Sequence, residues 1–354
     1  MNFEEARSQF PVLERHAYLN AGTNGPLARQ TVDAMEAQLG RDLDEGRSGH
    51  AYLDVYLERR ERLREAFAAV LATSAERVAL TDSTTRGCET VLAGLGLGAE
   101  DEVVTTDEEH FGLLWPLQAI GVRVVSAAAD EDALLAAITP RTRLIAVSHV
   151  LWTSGRRLDL GRLRRPDGPP LLADGAQSAG AIPPDLDGAD FYTVSAQKWL
   201  CGPEGTGALF VRDPDRLRLA LPGHFSGVMY APGGLEPKPG AARFDSGWTA
   251  GTTLAGLEAA LACHPDWRYE AAATAAARCR ELLEPLVEVV TPAGHSTLVS
   301  FESPCEPAEL VASLDERGVI VRDLPGRNLV RVSCGWWTSE DDLRRLADGV
   351  AAAA

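Results

Sequence analysis

Short apolar runs alternate with longer amphipathic stretches through the middle of the chain. Seven of these runs read as strands: Arg77-Val-Ala-Leu, Glu102-Val-Val-Thr-Thr, Val122-Arg-Val-Val, Arg143-Leu-Ile-Ala-Val, Pro170-Leu-Leu-Ala, Phe191-Tyr-Thr-Val and Gly207-Ala-Leu-Phe-Val. Residues 87–95, 112–120 and 131–138 between them read as helices, and residues 28–72, with charges among Leu, Ala and Val, as a helical region before them. Strand–helix alternation predicts an α/β domain: a mostly parallel seven-stranded sheet with helices on both faces. Ligands of such sheets collect beyond the carboxyl ends of the strands. Asp82, Asp107, His149, Asp174 and Ser195 all stand at or just past those ends.

Residues 222–242, rich in Gly and Pro, predict a long functional loop. Helices follow over 252–263 and 267–284; then strands over 287–290, 297–301, 319–322 and 329–333 alternate with helices near 307–316 and 339–353. This is the pattern of a smaller α+β domain. The expected division is an N-terminal segment, 1–20, packing on the small domain, a large ligand-binding domain, 21–250, and a small C-terminal domain, 251–354.

Composition narrows the function. The 354 residues allow a sizeable core, and a net charge of −17 without any Lys/Arg-rich run argues against nucleic acid or an anionic membrane as partner. No run is long and apolar enough to span a membrane, and the N-terminus lacks the features of a signal peptide. The six cysteines are scattered without metal-ligand spacing, so reduced thiols in a cytoplasmic protein and no metal are expected.

Lysine is nearly absent. Only Lys198, in Ser-Ala-Gln-Lys-Trp, and Lys238, in a Pro/Gly-rich run, interrupt a chain whose basic charge is otherwise arginine. Arginine stays protonated, whereas a desolvated lysine can lose its proton and attack a carbonyl. Upstream, Leu171-Leu-Ala-Asp174-Gly-Ala-Gln177 is an apolar strand ending in a carboxylate and an amide. A lysine that forms a Schiff base, with an acid to meet a pyridinium nitrogen, is how proteins hold pyridoxal 5′-phosphate.

Other positions fit the same ligand. In Ala79-Leu-Thr-Asp-Ser-Thr-Thr-Arg-Gly87 a strand runs into small hydroxyl residues and then a helix, a cradle suited to phosphate, with Arg86 adding charge; Ser and Thr there are equally ordinary helix caps. The ring of His110 is placed to stack on a pyridine, although it can also be read as a simple loop histidine. Gln177 can donate to the ring's phenolic oxygen, and Ser195 and Gln197 flank the lysine within reach of the phosphate. Arg322 and Arg331, nine residues apart on two expected strands, read as forks for carboxylates or as surface ion-pair partners.

Taken together, these residues resemble the fold-type-I pyridoxal phosphate enzymes of the class V aminotransferase family, over nearly the whole chain from Tyr18-Leu-Asn-Ala-Gly onward. Within it the chain looks most like the L-cysteine/L-cystine C–S lyases. Thr81-Asp-Ser-Thr-Thr-Arg-Gly-Cys, Glu109-His-Phe-Gly, Val147-Ser-His-Val-Leu-Trp-Thr-Ser-Gly, Asp174-Gly-Ala-Gln-Ser-Ala-Gly, Lys198-Trp-Leu-Cys-Gly-Pro-Glu-Gly-Thr-Gly, Arg243-Phe-Asp and Arg331-Val-Ser-Cys carry the likeness. The resemblance implies that Lys198 links the cofactor and moves the α-proton, Asp174 pairs with the ring nitrogen, Gln177 meets the phenolic oxygen and His110 stacks, with Phe111 its rival. It implies Thr84, Thr85, Arg86, Ser195 and Gln197 around the phosphate; Arg331 on the substrate α-carboxylate; Arg322 on a distal polar group; and His149, Ala21 and Gly22 beside the substrate. It further implies a homodimer with the active site at the interface, to which Trp248 and Thr249 reach from the neighbouring subunit.

Three positions depart from the family pattern. Gln197 stands where His usually precedes the lysine, Arg86 where Thr is repeated, and Trp248 where Thr reaches the neighbouring phosphate. Cysteine desulfurases of the family carry a nucleophilic cysteine before the carboxylate-binding arginine; Asp-Leu-Pro-Gly-Arg-Asn, ahead of Leu329-Val-Arg331, has none. The expected reaction is therefore C–S β-elimination from cysteine, cystine or a related sulfur amino acid, giving pyruvate, ammonia and a thiol or persulfide. Transamination, epimerisation, a cysteine desulfurase-like reaction or another elimination on a different amino acid, and a non-catalytic binding protein, are the alternatives.

Overall fold

The computed structural model describes residues 1–228 and 234–353. In chain order the elements are α1 (Phe3–Arg7), β1 (Ala17–Tyr18), α2 (Arg29–Asp44), α3 (Gly49–Val70), β2 (Val78–Thr81), α4 (Thr84–Leu95), β3 (Glu102–Thr106) and α5 (Phe111–Ala119). Next come β4 (Arg123–Ala127), α6 (Glu131–Ala136), β5 (Thr142–Ser148), α7 (Leu160–Leu163), β6 (Leu171–Asp174), β7 (Phe191–Ser195), β8 (Gly207–Val211), α8 (Gly251–Ala262) and α9 (Arg268–Leu283). The last are β9 (Leu298–Glu302), α10 (Pro307–Glu316), β10 (Val319–Ile320), β11 (Arg322–Asp323), β12 (Leu329–Ser333) and α11 (Glu340–Ala351).

All seven strands expected in the first half join one sheet, in the order β2-β8-β7-β6-β5-β3-β4. Only β8 runs antiparallel to its neighbours, β2 and β7. Side-chain alternation sends Leu80, Val104, Ile145, Val147, Ala173, Val194 and Phe210 to one face, against Leu63 and Phe67 of α3. Ala79, Val103, Leu144, Leu172 and Leu209 go to the other, against Val91 and Leu92 of α4 and Leu113 and Leu117 of α5. The chain leaves β3 outward to β4 and returns beside β3 as β5, so the crevice at a topological switch opens beyond the ends of β3 and β5.

A second, three-stranded sheet, β11-β12-β9, carries the small core together with α9, α10 and α11. β1, which the apolar pattern is too short to reveal, pairs in parallel with β10, and Ala17 and Leu19 enter this second core. α8 packs instead on the first core through Leu254 and Leu257.

Three expectations need correction. The helical region 28–72 is two helices, because Gly46 and Gly49 at φ +79° and +83° turn the chain between α2 and α3. The strand expected over 287–290 is reduced to a single bridge, Val289 to Phe301. The strand expected over 319–322 divides at Val321, its halves pairing with different strands. Of the loop expected over 222–242, residues 229–233 lie outside the described residues; the rest holds a bridge, Gly227 to Pro237, and a 3₁₀ turn over Gly240–Phe244.

Asp245 ties that loop to the large domain. Its carboxylate accepts from Arg60 Nη2 at 2.9 Å, Arg64 Nη1 at 2.9 Å and Nη2 at 2.8 Å, and the Leu80 amide at 2.8 Å. Burial opposes its charge, yet the hydrogen bonds and charge of Arg64, with Arg60, hold it below the usual carboxylate range. Removing the acid would leave buried Arg60 without a carboxylate and Arg64 with only the exposed Glu61. Asp245→Ala is expected to destabilise the fold by about 3 kcal/mol, read as a lowered thermal midpoint; an unchanged midpoint would show the cluster to be neutral.

Candidate active site

Lys198 follows β7 in a turn that also carries Trp199. Burial draws its ammonium down to about 8; Asp174 opposes the fall, and Arg331 and Arg322 add to it. The lysine therefore sits among one carboxylate and two guanidinium groups, supplied by the end of β6, the start of β11 and the middle of β12.

Asp174 closes β6. Its Oδ1 accepts from the Ala176 amide at 2.9 Å and from Thr193 Oγ1 at 3.2 Å, while Oδ2 takes no hydrogen bond among the described residues. Burial raises its affinity for a proton, and Lys198 counteracts that. Gln177 is fixed by two partners: Nε2 donates to Gly22 O at 2.8 Å, and Oε1 accepts from Trp199 Nε1 at 3.1 Å. Since indole nitrogen can only donate, the amide orientation is set, and one N–H of Gln177 stays uncommitted.

His110 caps α5, its Nδ1 accepting from the Gly112 amide at 3.0 Å. Burial, with Lys198, Arg322 and Arg331 nearby, depresses it to about 4, so the ring is neutral. Phe111 projects outward, 45% exposed; of the two stacking candidates, His110 is the one that feels the lysine.

α4 begins beside this group. Ser83 Oγ accepts from the Arg86 amide at 3.1 Å, and the amides of Thr84 and Thr85 have no acceptor among the described residues. An added Cβ on Gly112 would lie 2.8 Å from Thr85 Oγ1, which places that hydroxyl next to the His110 turn. Ser195 Oγ donates to Gln197 Oε1 at 2.8 Å, and Arg86 pairs with Glu89 at 3.3 Å on the outer side of the helix.

Arg331 is almost wholly buried, yet no carboxylate meets it among the described residues. Nη1 donates to Trp152 O at 2.8 Å, while Nε and Nη2 are unpartnered. Burial, then Arg322, draws it down to about 9. Arg322 stands opposite Arg331 in the β11–β12 register and donates to Thr23 Oγ1 at 3.2 Å. Ala21 and Gly22 run alongside: a Cβ on Gly22 would lie 2.8 Å from Arg331 Nη2 and 3.0 Å from both Gln177 Oε1 and Ser333 Oγ.

Two groups of expected residues stand apart. The ring of His149 points to the sheet face of Tyr192, with Nδ1 3.2 Å from Tyr192 Oη. Burial and then Arg157 depress it to about 3, whereas Lys198 and Arg331 act on His110 instead. Strand alternation is the cause, since Ser148 takes the other face. Trp248 packs on Tyr56 and Phe225, with centroids 4.8 and 4.9 Å away, and Thr249 exchanges hydrogen bonds with Tyr56 Oη. Conversely, Glu109, Trp152, Thr193 and Thr23 touch the cluster without having been singled out. The signal for Glu109 and Thr23 was adjacency to His110 and Gly22; Trp152 and Thr193 follow only from tertiary packing.

The set fits pyridoxal phosphate: an open carboxylate oxygen for a ring nitrogen, a desolvated lysine, a free amide N–H, unpaired amides at a helix start and an orphaned guanidinium. Known proteins share this architecture. The chain is 28% identical to isopenicillin N epimerase of Streptomyces clavuligerus over 99% of its own length and 98% of that protein. It is 30% identical to a cysteine desulfurase of Klebsiella pneumoniae over 73% of its length and 70% of that protein. Among solved structures, the cystine C–S lyase C-DES, complexed with its reaction product cysteine persulfide, superposes with a TM-score of 0.90 at 30% identity, covering 97% of this chain and 99% of that one. A lysine-to-alanine mutant of C-DES has also been solved with glycine covalently linked to the PLP cofactor. With the aminotransferase class-V family model matching residues 17–345, the chain belongs to the class V aminotransferase family.

Proposed function

We propose that the protein is a pyridoxal phosphate-dependent C–S β-lyase acting on cystine, cysteine or a related sulfur amino acid, with pyruvate, ammonia and a thiol or persulfide as products. The observation that carries this reading is Lys198, drawn down to about 8 between Asp174 and the unpaired Arg331, in a chain so similar to C-DES. When bound, the cofactor supplies an electron sink for the carbanion that follows loss of an α-proton.

The residues of the chain do the rest. Asp174 Oδ2 holds the proton on the ring nitrogen. Gln177 offers its free N–H to the phenolic oxygen, and neutral His110 presents its ring face. The amides and hydroxyls of Thr84 and Thr85 receive the phosphate, with Ser195, Gln197 and Arg86 at its margin. Arg331 takes the α-carboxylate through its orphaned Nε and Nη2, and Arg322 faces the distal end of the substrate. Lys198 Nζ, drawn down to about 8 and so far readier to shed its proton than an exposed lysine, removes the α-proton. Sulfur then leaves the β-carbon as thiolate or persulfide, and the released enamine hydrolyses to pyruvate and ammonia.

A desulfurase route is disfavoured: residues 324–328, between β11 and β12, contain no cysteine, Cys334 is buried beyond Arg331, and half-buried Cys305 lies on the β9–α10 turn. Epimerisation is the second reading, favoured by the nearly full-length likeness to isopenicillin N epimerase. We further place the protein as a homodimer in the cytoplasm. Exposed Leu39 and Leu43 on α2, Val55 on α3 and Phe111 and Trp115 on α5 support self-association, with Trp248 and Thr249 available to a neighbouring site. Six unpaired cysteines accord with a reducing compartment.

Protein loaded with cofactor and given L-cystine is expected to release pyruvate, and Lys198→Ala to lose that activity by about 10³-fold; inverted substrate with no pyruvate would instead mark an epimerase. Gly22→Ala should push the Arg331 guanidinium aside and raise KM about tenfold while the bound-cofactor spectrum persists. An unchanged KM would remove Arg331 from substrate binding.

A further inference from the structure

Glu109 has no part in the scheme above, yet it is a buried carboxylate at the centre of the sheet edge. Oε1 accepts from Thr106 Oγ1 at 2.8 Å and the Ser148 amide at 2.9 Å; Oε2 accepts from the same amide at 3.0 Å and from Ser148 Oγ at 2.5 Å. Every partner is a neutral donor, and no Lys, Arg or His pairs with it among the described residues. A staple of this shape could be made with a neutral side chain. Burying a charge instead is costly unless the charge is used.

Its location suggests the use. Ser148, which holds both oxygens, ends β5 directly opposite Asp174 in the β5–β6 register. Glu109, in the turn after β3, and Asp174, at the end of β6, thus flank the end of β5 from its two sides. Cys88 of α4 faces both, and its thiol is pushed well above its ordinary range by burial, Asp174 and Glu109. Asp174 is the charged group that faces Glu109; Thr106, Ser148 and Cys88 are its other neighbours. Burial, with a further push from Asp174, raises Glu109 to about 7 despite its hydrogen bonds. A cation seated on Asp174 cancels that last push, and the hydrogen bonds from Thr106 and Ser148 favour the ionised form of Glu109 against burial.

We propose that Glu109 is a positioning residue acting through Asp174: its buried negative charge, one strand further in, helps keep the proton on the ring nitrogen of the cofactor. This rests on the pyridoxal phosphate reading and deepens it. A single buried carboxylate shares its charge with Lys198 as well as with the ring; a second one restores the attraction for the ring proton without touching the cofactor.

The test uses holoenzyme reconstituted with pyridoxal phosphate labelled with ¹⁵N at the ring nitrogen, its NMR shift followed against pH. In Glu109→Gln the midpoint for loss of the ring proton is expected to fall by about one pH unit. Glu109→Ala, which removes the same charge with a different shape, should shift in the same direction. Glu109→Asp, which keeps the charge, and Thr106→Val, which removes the hydrogen bonds to Glu109 and from the Glu108 amide but no charge, should stay near wild type. Wild-type pH dependence in both charge-removing variants overturns the proposal, as does a shift in Thr106→Val equal to that in Glu109→Gln. Wild-type protein that takes up no labelled cofactor overturns the cofactor reading and this proposal with it.

Discussion

An arginine buried without an acid is the constraint around which this molecule is arranged. Arg331 gives up its hydration and receives one backbone carbonyl, Trp152 O, in return. An uncompensated buried charge of this kind costs several kcal/mol, and its field spreads to its neighbours. With burial, it lowers the proton affinity of Lys198 and keeps His110 neutral. A site so biased awaits an anion at Arg331 and a reactive amine at Lys198 at once. Binding a carboxylate would relieve the strain that apolar packing elsewhere sustains.

Two kinds of joint hold that arrangement. The N-terminal segment threads between the domains: β1 pairs with β10, Asn20 bridges Ser333, and Gly22 wedges between Gln177 and Arg331. The loop after β5 forms the second joint. Trp152, Thr153 and Gly155 each present a carbonyl to a side chain of the small domain: Arg331 at 2.8 Å, Ser300 at 2.5 Å and Ser296 at 2.6 Å. Any movement of the small domain therefore reaches Trp152, whose ring stands edge-on to His110 at 5.2 Å. Arg331 and His110 are thereby mechanically linked through Trp152.

The charges also divide by role. Arg60 and Arg64 share the buried carboxylate of Asp245, as an internal tie should. Arg331 and Arg322 face each other across β11 and β12 without an acid among the described residues, although opposed like charges weaken a sheet. Local stability alone does not account for such a pair; the proposed anionic substrate would.

Much of this was written into the sequence. Short, nearly continuous apolar runs marked the seven strands, because a sheet covered on both faces favours apolar residues on both sides of each strand. The scarcity of lysine marked Lys198, since arginine cannot give up its proton to do the same chemistry. Asp174 and Gln177 followed from their place at a strand end. Tertiary structure decided the rest. β1 is two residues long and exists only through β10. His149 turned to Tyr192 because one step along a strand exchanges faces, which adjacency in sequence does not reveal. Glu109 became a partner of Asp174 only when β5 came to lie between them, and Arg331 lost its counter-ion only when packing enclosed it. Residue type and spacing set which chemistry was available; burial and strand order, which depend on contacts remote in sequence, set which groups share a field.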